Sequence, residues 1–197
     1  MSALFTRLTE LHRAGHAKPV ELHEDMRSLP GGGEFRPAAV LAAITERANP
    51  GILLIHRPSN MRAHPGQVAF PGGKLDPGES PVEAALRETH EELGIAPETV
   101  RVIGESDSYR TGTGYRITPV VGLIPSDTDV FPNPTEVAAW FEAPLEYVLN
   151  PANQRAVEFE RDGKVWSTWE IIWEEHRIWG ATAGLLVNLT RRLNWHG

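Results

Sequence analysis

The stretch Phe70–Ile95, FPGGKLDPGESPVEAALRETHEELGI, leaves its chain few choices, because it carries both ends of a helix in its own residues. Ser80 is placed to accept a hydrogen bond as N-cap, Pro81 suits the first helical position, and Glu83 completes a Ser-x-x-Glu capping box. Gly94 stands where a left-handed C-terminal residue is wanted. These signals predict a helix of about three turns over Pro81–Leu93. On that helix Val82, Leu86, Thr89 and Leu93 form a stripe expected to face a core. Glu88, Glu91 and Glu92 gather on another face, at i, i+3 and i+4. Like charges so spaced repel by about 0.2–0.5 kcal/mol per pair in an isolated helix, and Arg87 is the cation close by. Carboxylate oxygens arranged this way suit a hard divalent cation such as Mg²⁺. A solvated acidic helix face is the plainer alternative.

The wider frame is Gly73, five residues, Glu79, seven residues, then Arg87-Glu88-Thr89-His90-Glu91-Glu92-Leu93-Gly94-Ile95. It resembles the Nudix box, G-x5-E-x7-R-E-U-x-E-E-x-G-U, in which U is a bulky aliphatic residue. Thr89 is the departure; it falls on the core stripe and leaves the acidic face intact. Upstream, LLIHRPSNMRAHPGQVAFPGG (Leu53–Gly73) collects His56, Arg57, Arg62 and His64 just ahead of the acidic helix. Arginine forks suit phosphate oxygens, although either arginine alone also reads as a surface residue. Gly72 and Gly73 let backbone approach phosphate or metal closely, or mark an ordinary turn. This run is similar to the extra signature of coenzyme A pyrophosphatases within the Nudix group, roughly L-L-T-x-R-S-x3-R-x3-G-x3-F-P-G-G. Arg57, Arg62, Gly66, Phe70, Pro71, Gly72 and Gly73 match, whereas Ile55-His56 replaces the Thr-x step and Ser59 stands one position late. The run over 178–189, IWGATAGLLVNL, is similar to that subfamily too.

The resemblance implies an α+β fold, an α/β/α sandwich around a curved mixed β-sheet. It implies metal-dependent hydrolysis of the pyrophosphate bond of coenzyme A or acyl-CoA, giving 3′,5′-ADP and (acyl-)4′-phosphopantetheine. Glu88, Glu91, Glu92 and the Gly73 carbonyl are the implied ligands of Mg²⁺ or Mn²⁺. Arg87 is read as orienting Glu79 or Glu91, and Arg57, Arg62, His64 and Phe70 as meeting substrate. The general base stays open. Glu91 and Glu79 are candidates inside the box, Glu136 in NPTEVAAWF outside it, and Glu174-Glu175-His176-Arg177 is a further option; both outside segments also read as solvated charge. The weaker first half of the upstream signature motivates an alternative substrate, another nucleoside diphosphate derivative such as ADP-ribose or NADH. A non-catalytic nucleotide-binding module is a third reading, opposed by the retention of Glu79, Glu88, Glu91 and Glu92.

The 197 residues suit a single domain, 1–197, with terminal helices packed on it. A net charge of −7 argues against general nucleic-acid binding. It also means that an anionic substrate must be met by local cations or metal. The chain has no cysteine, which excludes disulfides and thiol catalysis. No apolar run approaches a membrane span, and the N-terminus mixes Arg and Glu unlike a signal or transit peptide, so a cytoplasmic location is expected. A homodimer is compatible with the composition.

Residues 2–14 read as an amphipathic helix capped by Ser2, with Leu4, Leu8 and Leu11 on one side. A loop over 28–34 precedes two apolar strands, 36–46 and 51–57, predicted to form a hairpin and to be buried on both faces. Beyond the box, strands are expected over 99–111, 115–125 and 136–144, with a loop over 126–134 and a short helical turn after the third strand. A hairpin is predicted around Asp162-Gly163, and a helix over about 180–193 with Leu185, Leu186, Leu189 and Leu193 on its apolar side. Trp140, Trp166, Trp169, Trp173 and Trp179 all lie in the last third. Trp166, Trp169 and Trp173 read as core packing or a subunit contact, or as a platform for an adenine ring. His90 is read as structural or solvent-exposed.

Overall fold

The computed structural model describes residues 2–29, 31–60, 66–161 and 163–196. In chain order the helices are α1 (Ala3–His16), α2 (Pro81–Leu93), α3 (Leu145–Val148) and α4 (Ala181–Leu193). The strands are β1 (Arg36–Glu46), β2 (Gly51–His56), β3 (Val68–Ala69), β4 (Gly72–Lys74), β5 (Arg101–Glu105), β6 (Tyr109–Arg110), β7 (Tyr115–Pro125), β8 (Ala139–Pro144), β9 (Arg155–Arg161), β10 (Lys164–Trp173) and β11 (His176–Trp179).

The main sheet runs β3-β2-β1-β7-β5, with β4 added to β1, β6 to β7 and β8 to β2. It is mixed. β1 and β7 pair in parallel from Arg36↔Tyr115 to Glu46↔Pro125, and every other pairing in it is antiparallel. Strands buried on both faces are the ones parallel pairing favours, and β1 is such a strand. Ala39, Leu41 and Ala43 join one cluster with Ala84, Ala85 and Leu93 of α2. Ala42 and Ile44 join the opposite cluster with Leu8 of α1 and Leu185, Leu186 and Leu189 of α4. The result is the helix–sheet–helix layering that the resemblance implies.

The expected β1–β2 hairpin forms, in register at Ile44↔Ile52, but β2 spends most of its length paired with β8. The predicted strand 99–111 is broken into β5 and β6. At the break Asp107 leaves the ladder and accepts two hydrogen bonds from Arg192 of α4, at 2.6 and 2.9 Å. The predicted strand 136–144 starts only at Ala139, because Asn133 to Val137 form a turn in which Asn133 C=O accepts from the Glu136 and Val137 amides. The predicted hairpin of β9 and β10 forms, with Asp162 outside the described residues. It builds a separate three-stranded sheet with an unforeseen strand, β11. The terminal helix is not one-sided: it is buried from Thr182 through Thr190, since sheet, α1 and β10 surround it. No helix among the described residues is long and apolar enough to cross a membrane.

Candidate active site

α2 is framed as its sequence requires. Ser80 Oγ accepts from Glu83 N–H at 3.3 Å, Glu83 Oε2 accepts from Ser80 N–H at 2.8 Å, and Gly94 closes the helix at φ 69°. Ser80→Ala is expected to cost about 1 kcal/mol and to lower the midpoint of a thermal melt by about 2–4 °C. The buried face is Ala84, Ala85, Thr89, Glu92 and Leu93, while the expected stripe residues Val82 and Leu86 sit half-buried at its edge. Small Ala84 and Ala85 let the helix approach the alanine-rich face of β1 closely, and this draws Glu92 under cover. Thr89, the departure from the aliphatic pattern, satisfies its buried hydroxyl by donating to Ala85 C=O at 2.6 Å.

The three acidic residues occupy three environments. Glu92 is 3% exposed, and its Oε2 accepts from Gly72 N–H at 2.9 Å. Gly72 is at φ 148°, and a Cβ there would stand 2.3 Å from Ala39 O. Glu88 is half-buried against Gly73, where a Cβ would fall 2.3 Å from the Glu88 carboxylate carbon and push that carboxylate aside. Glu91 is exposed and turned towards Arg87. Arg87 is the organising cation. Its Nε and Nη2 donate to the two oxygens of Glu79 at 2.8 and 3.0 Å, its Nη1 to Glu88 at 3.0 Å and Glu91 at 3.1 Å, and its Nη2 to Lys74 C=O at 3.1 Å.

The charges are unevenly balanced. Hydrogen bonds from Arg87 and then from Asp76 N–H hold Glu79 below the ordinary carboxylate range. Burial pushes Glu88 up despite Arg87. Burial pushes Glu92 up to about 8, with the charges of Glu88 and Glu136 adding to it and Gly72 N–H and Arg57 opposing it. Two sequestered carboxylates with surplus negative charge, offering only oxygen donors beside flexible glycine backbone, fit a hard divalent cation.

The loop ahead of β8 completes this end of the sheet. Phe131 and Asn133 N–H donate to Leu93 and Glu92 C=O, each at 2.8 Å, which satisfies carbonyls at the end of α2 and brings Glu136 alongside. Across from it, Arg57 follows β2. Its backbone N–H donates to Gln67 C=O at 3.0 Å, and its Nε is buried without a partner among the described residues. Arg62 and His64, expected at the substrate, lie outside the described residues. Phe70, also expected there, is 3% exposed and packs in the core with Leu54 and Val68.

Further from the box, Glu174, Glu175 and His176 are the three His/Asp/Glu donors that do converge within 4.8 Å among the described residues. Arg177 is drawn off to the buried Glu170, which Arg155 also holds at 2.6 Å. Trp169 and Trp173 pack against the core, as the plainer reading of the tryptophans has it, and His90 is exposed. Sequence reasoning did not foresee the contact between His56 and His176. Both are polar residues at strand ends 120 positions apart, and no local pattern links them.

The profile of the NUDIX domain family matches residues 35–179. The "Uncharacterized Nudix hydrolase NudL" of Enterobacter sp. (strain 638) is 43% identical over 162 residues, spanning 80% of this chain and 83% of the relative. Its namesake in Escherichia coli (strain K12) is 42% identical over the same shares. Among solved structures, the Nudix hydrolase RenU from M. smegmatis aligns with a TM-score of 0.52 at 24% identity, over 61% of this chain and 80% of that one. A MutT/nudix family protein from Enterococcus faecalis aligns with a TM-score of 0.53 at 15% identity, over 99% of this chain and 74% of that one. These two likenesses are of fold.

Proposed function

Because this chain belongs to the Nudix hydrolase family and is a pyrophosphohydrolase, we propose that its substrate is coenzyme A or an acyl-CoA, cleaved to 3′,5′-ADP and (acyl-)4′-phosphopantetheine. The observation that carries the reading is Arg57. It stands at the signature position of the upstream run, its Nε is buried with no partner among the described residues, and it lies on the side of the site facing Glu92. A buried donor without an acceptor is costly, and a phosphate oxygen of the substrate supplies that acceptor.

Glu88 and Glu92, with the Gly73 backbone, would hold Mg²⁺ or Mn²⁺, which on binding neutralises phosphate charge and lowers the pKa of the attacking water. The remaining work falls to the chain itself. Arg87 fixes Glu79 through both carboxylate oxygens, and Glu79 Oε2 also accepts from Asp76 N–H at 2.8 Å. Glu79 is thereby a positioning residue, not the base. The base is Glu91, of which one oxygen is held by Arg87, or Glu136, whose carboxylate accepts a 3.4 Å bond from Asn133 among the described residues. Residues 1–197 act as one domain in this reading, in the cytoplasm.

The test is a panel of diphosphates incubated with purified protein and Mg²⁺ or Mn²⁺, with products separated by chromatography. Release of 3′,5′-ADP from coenzyme A is expected. The departure at Ile55-His56 favours ADP-ribose or NADH as the second reading. Turnover of either with coenzyme A untouched would overturn the substrate assignment and leave the enzyme class standing.

A further inference from the structure

Two histidines meet at the margin of this site. His56 ends β2 and precedes Arg57; His176 opens β11 on the separate three-stranded sheet. His56 Nε2 and His176 Nδ1 are 2.9 Å apart. Two ring nitrogens at that distance share one proton, so the bond exists only while at least one imidazole is neutral. The Gly66 carbonyl favours a proton on the His56 ring. One ring donates its N–H and the other accepts on a bare nitrogen. The His176 side of the bond is held in place. The His176 ring lies flat on Phe141 of β8, centroids 3.7 Å apart and planes within 1°, with Trp173 5.5 Å away.

The bond grips the foot of a loop. His56 pairs with Val68 across β2 and β3, and the next residue, Arg57, closes on Gln67. The placement of Arg57 beside Glu92 therefore depends on the strand end that His176 ties down.

We propose that His176 is a positioning residue for the hydrolysis: by its hydrogen bond to His56 it holds the Arg57 end of β2 against the acidic helix, and the grip is lost when the pair takes up a second proton. The charged groups facing the pair, among the described residues, are Glu175, 3.9 Å from His176 Nε2, and Glu174 beside it. Val68, Phe141 and Trp173 are the uncharged neighbours. Burial, and next the charge of His176, hold His56 below its ordinary value. The grip is thus present at neutral pH and lost on the acid side. The proposal rests on pyrophosphohydrolase activity and not on which diphosphate is cut.

Two variants separate positioning from packing. His176→Phe keeps a ring for Phe141 and removes the hydrogen bond; His176→Asn places an amide near the Nδ1 position that can turn its N–H to a neutral His56 or its C=O to a protonated one, so the bond survives in acid. kcat and KM are measured from mildly acidic to mildly alkaline pH with coenzyme A, or with ADP-ribose if coenzyme A is inert. At neutral pH His176→Phe is expected to raise KM about tenfold, the effect of one lost hydrogen bond, with kcat nearly unchanged. His176→Asn is expected to restore KM to within about threefold of wild type and to remove the acid-side rise that wild type shows. A His176→Asn enzyme as impaired as His176→Phe, or one keeping the wild-type pH profile, would overturn the proposal. If His176→Phe does not fold, the pH profile of His176→Asn decides alone.

Discussion

Replacing Glu92 by Gln is expected to lower turnover by at least about a hundredfold and, in the same protein, to raise the melting temperature of the metal-free form. The two effects share one cause. Glu92 is 3% exposed, and its folded-state pKa is pushed up to about 8, chiefly by burial. A group raised in this way contributes stability that is fully present below its unfolded value and is lost as pH rises through the folded one. In metal-free protein the loss should therefore set in above the ordinary Glu range and be complete near pH 8. Gln keeps an oxygen for Gly72 N–H and brings no charge. The variant should melt higher than wild type at alkaline pH by about 2–4 °C for each kcal/mol relieved, and the gap should close towards pH 5. Mg²⁺ should reverse the ranking by stabilising wild type and leaving Glu92→Gln almost unmoved. Melting curves across pH with and without Mg²⁺ check this, alongside kcat. A variant with wild-type turnover, or one with a lower metal-free melting temperature at pH 8, would show that Glu92 does not store uncompensated charge for a cation.

Arg192→Met is expected to produce the largest loss of stability. Arg192 is 8% exposed on α4. Its Nε and Nη2 donate to Asp107 at 2.6 and 2.9 Å, and its Nη1 donates to Gly15 and Lys18 C=O at 2.8 and 2.6 Å. One guanidinium thus joins α4, the break between β5 and β6, and the C-terminal end of α1. Burial pushes Asp107 up, but the hydrogen bonds and charge of Arg192 outweigh it and hold the carboxyl below the ordinary range. That contribution is present above the ordinary Asp value and is lost as pH falls through the lowered one. Removing Arg192 leaves Lys18 C=O without this donor, Gly15 C=O with the 3.3 Å bond from Lys18 N–H, and the part-buried Asp107 carboxylate with His16 at 3.4 Å. Breaking a buried pair from one side costs about 3–5 kcal/mol, or about 6–20 °C in melting temperature. Urea or thermal unfolding measures it, with kcat of the folded fraction unchanged. A shift within about 2 °C, roughly the effect of an ordinary surface substitution, would mean that the carbonyls and Asp107 find water instead.

The parts of this molecule that were legible in its sequence are those whose causes are local. α2 runs over Pro81–Leu93 as its Ser80 box, Pro81 and Gly94 dictate, and α1 starts at the Ser2 cap. β1 and β2 were readable because strands buried on both faces need unbroken apolar runs. What was not legible depends on partners far along the chain. The parallel register of β1 with β7 and the break at Asp107, set by an arginine 85 positions away, leave no periodic trace. Phe70 matches a substrate-side motif yet points into the core, since a motif fixes residue types and not which face they take. The acidic face was readable as a cluster. Its division into a covered Glu92, a half-covered Glu88 and an open Glu91 follows from how closely alanines let α2 approach the sheet, and that is a tertiary fact.

The central claim, that the acidic face of α2 is a divalent-cation centre, is tested most directly by Mn²⁺ binding followed by electron paramagnetic resonance of the free ion. Wild type is predicted to bind Mn²⁺ with Mg²⁺ competing, and Glu88→Gln and Glu92→Gln are each predicted to weaken that binding by at least about tenfold. Equal binding in wild type and both variants would contradict it.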